Sequence, residues 1–551
     1  MGEALVRARV PWALVAVWVL TIAVFARVVG FPFVNWDDPS HFLDNPLAVH
    51  PLARGWIGLF FTEEIGYPAP LLQLSFALDM ALFGTHAGFW HAENLALHLT
   101  AVTLLYAVAR RLDLSAREAA ASAALFAVHP LVAEPVSWVT GRKDVLSIVL
   151  LFGACLVACS ATRVRWVVAN VLAFAAVLVL PRMIVAAPFV AVVASQARRA
   201  ERPRGLASAG LRLAPAFVMA LGVIVLGIAQ IRRLGAVPPP RSAGQIAGDI
   251  FGTWGLQFWH VVFPVDLSSY YFRVSGDPST LAMATAAAFA IALAWLVATR
   301  TKRGDPERTG AILLVVAYAP VSGVFTILRW TSDSYMYLPM AAIALAVVPT
   351  IARRWPEHLA HRASLARAIG ASAIALYAVT AFGATSRWAS STAVWKGGAA
   401  RYPNEPLALE HEALGLRSDG FVREADARFI ALAERFPNWE DTMDDEVLAY
   451  EARGDFTRAS KVLERGVRAG SPGCIRMFWM RVLRAPSGTP LPDRELLSVA
   501  FEKGFAAMKE GLHDPEAFHR VTMILRSAGL ETEAARGEAH LRDAFHLEIV
   551  K

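Results

Sequence analysis

The sequence predicts an all-α protein in two parts: a polytopic membrane bundle of about eleven spans, followed by a helical solenoid outside the bilayer. Composition is the first observation behind this reading. Hydrophobic residues make up 56% of the 551 and charged residues 18%, whereas an ordinary soluble chain is roughly a quarter charged. The second is the alternation of apolar runs of about 15 to 22 residues with short basic clusters. The third is a change beyond Ser386, where the sequence turns polar and begins to repeat.

The apolar runs fall near 10–29, 88–109, 117–132, 144–161, 165–180, 183–197, 209–230, 278–299, 309–328, 335–352 and 366–385. No small-residue cleavage site follows the first, so it is expected to stay as a span. Between the runs lie Arg7 with Arg9, Arg110 with Arg111, Arg163 with Arg165, QARRAERPRG from Gln196, RTKRGDPER from Arg300 and ARRWPEHLAHR from Ala352. All of these clusters fall on one side, which the positive-inside rule makes the cytoplasm. An odd span count then puts the loop after the first span, and everything beyond Ser386, outside. Residues 243–273 are apolar and aromatic but broken by Gly and Pro. Counted as a span they would invert every later cluster, so they are expected outside, lying on or dipping into the membrane.

The formal charge of +7, from 53 Lys+Arg against 46 Asp+Glu, therefore reports topology and not nucleic-acid binding, because the cations form no continuous face. Three cysteines exclude a disulfide framework. Cys155 and Cys159, one helical turn apart in an apolar run, read as packing residues.

In the tail, RYPNEP at Arg401 recurs 34 residues later as RFPNWE at Arg435, and Gly420 with Ala425 recurs as Gly454 with Ala459. That period belongs to tetratricopeptide helix pairs. The glycines are expected in the turns between paired helices and the alanines where the second helix packs closely. Gly529 and Ala534 repeat the offset. The division is thus 1–385 for the membrane domain and 396–551 for an extracytoplasmic solenoid of about four or five pairs, which buries a core only by stacking.

The outer loops carry more chemistry than connectors need. FPFVNWDDPSHFLDNP, 31–46, holds Asp37, Asp38, His41 and Asp44. FWHAENLALH, from Phe89, brings His91, Glu93, Asn94 and His98 into or near the membrane, where ionisable groups are costly unless they face a cavity or one another. HPLVAEPVSWVTGRKD, 129–144, holds His129, Glu134, Arg142, Lys143 and Asp144, and RWTSDSYMYLP, 329–339, holds Arg329 and Tyr335. Carboxylates here can take a proton from a hydroxyl nucleophile or hold a divalent cation, Mg or Mn, for which Asp37, Asp38 and Glu134 are the candidate ligands. Arg142, Lys143 and Arg182 suit phosphate oxygens. Each patch also has a plain structural reading. Asp37 or Asp38 can cap a helix after Pro39, His129 before Pro130 can end one, and 141–144 can anchor a span at the interface. Pro39 is expected to hold Asp38 extended, which makes Asp38 the better cap and Asp37 the better base.

Together, FVNWDDPSHFLDNP, LLQLSFALDMALFG, FWHAENLALH, HPLVAEPVSWVTGRKDVLS, FPVDLSSYY and DSYMYLP, in this order and ahead of the repeats, resemble the membrane-embedded O-mannosyltransferase-like proteins that carry C-terminal tetratricopeptide repeats. The resemblance covers nearly the whole chain. It implies the C-type integral-membrane glycosyltransferase (GT-C) fold, in which a polyprenyl-phosphate sugar donor enters from the membrane and the first outer loop presents a catalytic aspartate to an acceptor hydroxyl. Carried over by position, the acidic pair falls on Asp37 and Asp38, the family's His and Glu on His129 and Glu134, and its Gly-Arg-x-Asp on Gly141, Arg142 and Asp144. The other polar residues of these patches, His91, Glu93, Asn94, Lys143, Arg182 and Tyr335, are expected at the substrate. The sequence departs from the family at Ala69 and Ser334, where arginines stand, and at Arg182, where a lysine stands. Two missing guanidiniums bear on donor phosphate, since neither Ala nor Ser supplies a bidentate cation. Arg329, Arg273 and Arg182 are the available replacements.

The resemblance implies sugar transfer to a protein or glycan acceptor engaged through the repeat domain. Composition, short loops and chain size suggest a bacterial inner membrane with the repeats on the periplasmic side, and the scattered basic clusters suggest no nucleic-acid partner. Two other readings stay open: a catalytically silent membrane scaffold, and a transporter, which would set its ionisable groups near the midplane on broken helices.

Overall fold

The computed structural model describes residues 11–60, 66–159, 162–197, 205–233, 241–272, 283–288, 290–291, 294–295, 305–325, 329–354, 363–436, 439, 443–486, 489–511 and 515–545. No β-strand occurs among them. The chain divides into two compact units, Met1–Gly398 and Ala399–Lys551.

The first unit is a bundle of apolar helices: α1 (Trp12–Phe25), α2 (Pro70–Phe83), α3 (Ala87–Arg111), α4 (Ala116–Val128), α5 (Arg142–Ala158), α6 (Arg163–Val179), α7 (Ala186–Gln196), α8 (Leu206–Arg233), α9 (Ala243–Val262), α10 (Pro306–Tyr318), α11 (Tyr337–Arg354) and α12 (Ala363–Thr385). Among the described residues five helices are long and apolar enough to cross a bilayer, or six if the pair Ala116–Val128 and Pro130–Ser137, bent by 57°, is one span. The chain is a multi-pass membrane protein. Helices stand at every expected apolar run; most of 278–299 lies outside the described residues, and those described there, 283–288, 290–291 and 294–295, are helical. Several are short. At 17 residues each, α5 and α6 reach about 26 Å, less than a hydrocarbon core of roughly 30 Å.

Helix starts follow local chemistry. Ser115 accepts from the Glu118 N–H while Glu118 accepts from the Ser115 N–H, a capping box that opens α4. Ser242 and Gln245 do the same for α9. The sequence suggested interruptions here, yet α9 runs unbroken for 20 residues. Two of its glycines, Gly252 and Gly255, are close-packing positions: a Cβ on Gly252 would stand 2.9 Å from the Trp330 ring. Along its length α9 meets the segment that follows α10, through Trp254 Nε1 to the Ser322 carbonyl (3.1 Å) and Gln257 Nε2 to Thr331 Oγ1 (2.7 Å). It therefore lies across one end of the bundle.

The two ends of the bundle differ in character. At one, Arg353 near the end of α11 pairs with Glu118 at 2.9 Å and donates to the Asp113 carbonyl at 2.9 Å. At the other, the end of α1, the starts of α3, α5 and α11 and the ends of α4 and α12 converge, and the polar motifs collect there.

The second unit is helical throughout its described residues. Four pairs follow one another: α13 (Pro406–Ser418) with α14 (Val422–Arg435), α15 (Met443–Ala452) with α16 (Phe456–Ala469), α17 (Pro472–Arg484) with α18 (Arg494–Gly511), and α19 (Pro515–Ser527) with α20 (Glu531–Phe545). Gly420, Gly454 and Gly529 turn three of the pairs at φ +88°, +76° and +75°, a region that costs an L side chain strain. Ala425, Ala459 and Ala534 are all buried, as close packing of the second helix requires.

Candidate active site

After Gly30 the chain forms a loop that is held twice by one side chain. Asp38 accepts from the Val34 N–H at Oδ2 (3.0 Å), and at Oδ1 from the Thr140 hydroxyl (2.6 Å) and N–H (3.3 Å). These bonds close the loop on itself and fasten it to the turn before α5. The backbone at Asp38 is helical, φ −57° and ψ −42°, and its side chain makes no cap bond to the π turn Pro39–Leu43 that follows. Both expectations for Asp38, extended backbone and helix cap, are therefore corrected. Three hydrogen bonds in a buried setting outweigh the pre-proline preference.

Asp37 is placed differently. Its Oδ2 meets Lys143 Nζ at 3.2 Å and Arg329 Nη2 at 3.6 Å, and its side chain keeps 29% exposure. Burial pushes its carboxyl up, but the charges of Lys143, Arg329 and His41 outweigh that and hold it below its ordinary value, ionised at neutral pH. Burial pushes Asp38 up to about 6 against the opposing hydrogen bonds from Thr140 and Val34. Adjacent in sequence, the two carboxylates differ in kind: Asp37 is an ionised group that solvent reaches, and Asp38 is a closed structural one.

The turn that receives Asp38 needs glycine at 141, since a Cβ there would lie 2.5 Å from the Pro135 carbonyl oxygen. Asn94 donates to the carbonyls of Trp138 and Val139, both at 3.0 Å, and accepts from Arg142 Nε at 3.0 Å. Arg142 is fully buried. It pairs with Asp79 at 2.5 Å and Glu93 at 3.3 Å, beside the stacked rings of Phe76 and Trp90. Of Arg142, Asn94 and Glu93, all expected at the substrate, Arg142 and Asn94 instead form a buried post with Asp79, the partly exposed Glu93 stands at its edge, and the group shares no contact with Asp37 among the described residues.

The histidines are committed similarly. His129 Nε2 donates to the Val261 carbonyl (3.0 Å) while Nδ1 accepts from the Leu131 N–H (3.3 Å), so it ends α4 and docks α9. His91 reaches the Pro32 carbonyl at 3.5 Å.

Arg329 is the centre of the remaining cluster. Besides Asp37 it reaches Glu134 Oε1 at 3.4 Å and Ser332 Oγ at 3.5 Å, and its guanidinium lies over the rings of Trp36 and Trp138. Glu134 is buried and accepts from the Ser332 hydroxyl at 2.8 Å, and Ser332 bonds Ser334 at 2.9 Å. Arg182 pairs with Asp144 and lies 4.9 Å from the Tyr335 ring centroid. The Tyr67 hydroxyl is buried with no hydrogen-bond partner among the described residues, and burial followed by the Asp37 charge pushes its pKa up. A crevice of about 20 Å³, room for one water molecule, lies among Asp144, Ser147, Arg182, Ser334 and Tyr335.

The structure therefore brings together Asp37, Glu134, Lys143, Asp144, Arg182 and Tyr335 of the expected residues, and adds Arg329 and Tyr67. Three carboxylates alternate with three cations. Such a site can accept a proton at Asp37 and hold an anion on Lys143, Arg182 and Arg329. A cation shared by Asp37, Asp38 and Glu134 does not fit this donor set: Asp38 is filled by three N–H and O–H donors, and Arg329 stands between the other two. No group of three or more His, Cys, Asp or Glu converges as a metal site among the described residues. At the departures, Ala69 is buried and its carbonyl accepts from the Gln73 N–H, and Ser334 bonds Ser332 within the cluster that Arg329 reaches. Arg273 lies outside the described residues.

Comparison with curated proteins shows what the chain is similar to. The human protein O-mannosyl-transferase TMTC1 is 38% identical over 137 residues, which is 23% of this chain and 15% of the relative. The fruit-fly protein O-mannosyl-transferase Tmtc2 is 41% identical over 141 residues, 24% and 15% respectively. The chain resembles protein O-mannosyl-transferases. A third relative, human TMTC4, is 30% identical over 174 residues, 28% of this chain and 23% of the relative, so the chain matches less than a quarter of the length of each. No protein-family model matches the sequence, and no solved structure does.

Proposed function

We propose that the protein is a glycosyltransferase that moves a sugar from a polyprenyl-phosphate carrier to a hydroxyl of a protein or glycan on the extracytoplasmic face of its membrane, the inner membrane of a bacterium. The observation that carries this is Asp37: an ionised, partly exposed carboxylate at one end of a membrane bundle, with Lys143 at 3.2 Å and Arg329 at 3.6 Å. Asp37 takes the proton of the acceptor hydroxyl as that oxygen attacks the anomeric carbon. The bond from that carbon to the phosphate oxygen breaks, and the carrier phosphate leaves with the electron pair. Lys143, Arg329 and Arg182 stand where they stabilise the departing phosphate. The same cations keep Asp37 ionised before reaction. The relatives' names make mannose the first sugar to test.

The repeat unit, in this reading, engages the acceptor. A transporter fits less well, because this ionisable cluster sits where spans begin and end and not at mid-depth. The silent-scaffold reading draws on Ala69 and Ser334, and Arg329 beside Ser332 answers it in part. The direct test is incubation of purified full-length protein with a lipid extract containing polyprenyl-phosphate sugars. Consumption of one of them is expected. A folded protein that consumes none supports the scaffold.

A further inference from the structure

Both cations on Asp37 rest on indole rings, and each of those rings rests on a second indole from the segment that follows the last span. Trp36 stacks on Trp395, centroids 4.3 Å apart and planes 9° from parallel. The guanidinium of Arg329 lies 4.3 Å from the same Trp36 centroid, so Trp36 is held between the two. Trp138 carries Lys143 at 4.3 Å and stacks on Trp388 at 5.1 Å and 17°.

The segment 386–395 is itself pinned at several points. Its Ser391 hydroxyl accepts from the Asn35 N–H at 2.9 Å, and Trp395 Nε1 donates to the Asn35 carbonyl at 3.3 Å. Ser269 bonds the Val394 carbonyl. Arg387 places both terminal nitrogens 3.2 Å from Asp333 Oδ2, and Asp333 accepts from the Tyr271 hydroxyl at 2.7 Å. A mere tether to the repeat unit would need none of these contacts. Trp388 and Trp395 are both buried, and an indole buried against a second indole presents a fixed π face to a cation.

We propose that residues 386–395 are a positioning element of the active site: Trp395, acting through Trp36, seats Arg329 against Asp37, and Trp388, acting through Trp138, seats Lys143. This rests on Asp37 being the base and adds what sets its charge environment.

The test uses the full-length protein in lipid nanodiscs and reads Asp37 without reference to turnover. Carbodiimide labels the protonated carboxyl, so the pH midpoint of labelling of the Asp37 peptide, read by mass spectrometry, follows its ionisation. The groups facing Asp37 are Lys143, Arg329 and His41, with Tyr67 beside them and Glu134 beyond Arg329. In wild type the midpoint falls below the ordinary carboxylate value. In Trp395→Ala it rises by about one pH unit, the lower end of the effect of an adjacent guanidinium, and Trp395→Phe, which keeps a π face, returns most of the shift. Should Ala impair folding, Trp395→Leu keeps apolar bulk without a π face and gives the same comparison. A folded Ala or Leu variant that labels like wild type, or a Phe variant no better than Leu, overturns the proposal. Labelling shifts in a protein that transfers no sugar would overturn the glycosyltransferase reading alone.

Discussion

Arg329→Gln separates a catalytic cluster from a merely structural one. The guanidinium contacts Glu134 at 3.4 Å, Ser332 at 3.5 Å and Asp37 at 3.6 Å, and it stacks over Trp36. Gln keeps some hydrogen bonding and loses the charge. If Arg329 grips the donor phosphate, the loss is that of one charge-assisted hydrogen bond, about 1.5–3 kcal/mol, or roughly 10- to 150-fold in donor affinity. Asp37 responds as well. A carboxylate held below its ordinary value stays ionised until the pH falls through that lowered value. Removing one of its cations raises the value, so the acid limb of the rate profile begins at a higher pH. Lys143 remains, so the shift is partial. Arg329→Lys retains a charge without the planar fork and should restore the acid limb more than the donor affinity. The assay is steady-state transfer with varied donor from about pH 2 to 8, low enough to reach the wild-type acid limb, each variant normalised to folded protein. Unchanged donor affinity and an unchanged acid limb in folded Arg329→Gln would refute the placement of the phosphate on this cluster.

Arg142→Gln should behave in the opposite way. It leaves the buried Asp79 without its cation, a loss of about 3–5 kcal/mol, while Glu93 is partly exposed and adds little, so thermal stability falls steeply while the folded fraction keeps its donor affinity. Stability equal to wild type would remove Arg142 from its role as a buried post. For topology, a reporter fused after Lys551 is expected to be active only when it works outside the cytoplasm, and one that is active only in the cytoplasm reverses the sidedness.

The helices were legible because bilayer length and basic flanks set a strong pattern, and the 34-residue offset located the turn glycines Gly420 and Gly454 before any coordinates. α2 was not read as a helix because Gln73 and Asp79 break its apolar run, and both prove to be buried. α9 was read as interrupted because Gly in a helix carries a propensity cost, which close contact with Trp330 offsets. The site was legible in its residue types and less so in its pairings. Asp37 with Lys143, and Asp38 with Thr140, join partners about a hundred residues apart, and nothing local in NWDDP separates the exposed aspartate from the closed one. Arg142 shows the limit of motif reasoning: a guanidinium in a glycine-led turn suits phosphate, but the Asp79 that neutralises it lies three helices earlier, in α2. Trp388 and Trp395 were invisible as site residues because they follow the last span, where sequence offers only a linker.

The most direct test of the account is the sugar-transfer rate of Asp37→Asn beside Asp38→Asn, each normalised to folded protein. Asn at 37 cannot take the hydroxyl proton, while Lys143 keeps its seat on Trp138 and Arg329 its contact with Glu134, so folding should hold. The rate is expected to fall by about a hundredfold or more. Asn at 38 turns an amide donor toward Val34 or Thr140, which are themselves donors. It should cost about 1–3 kcal/mol of stability and leave the surviving folded molecules active. Full transfer activity in Asp37→Asn, with the loss confined to Asp38→Asn, would contradict the assignment of Asp37 as the base.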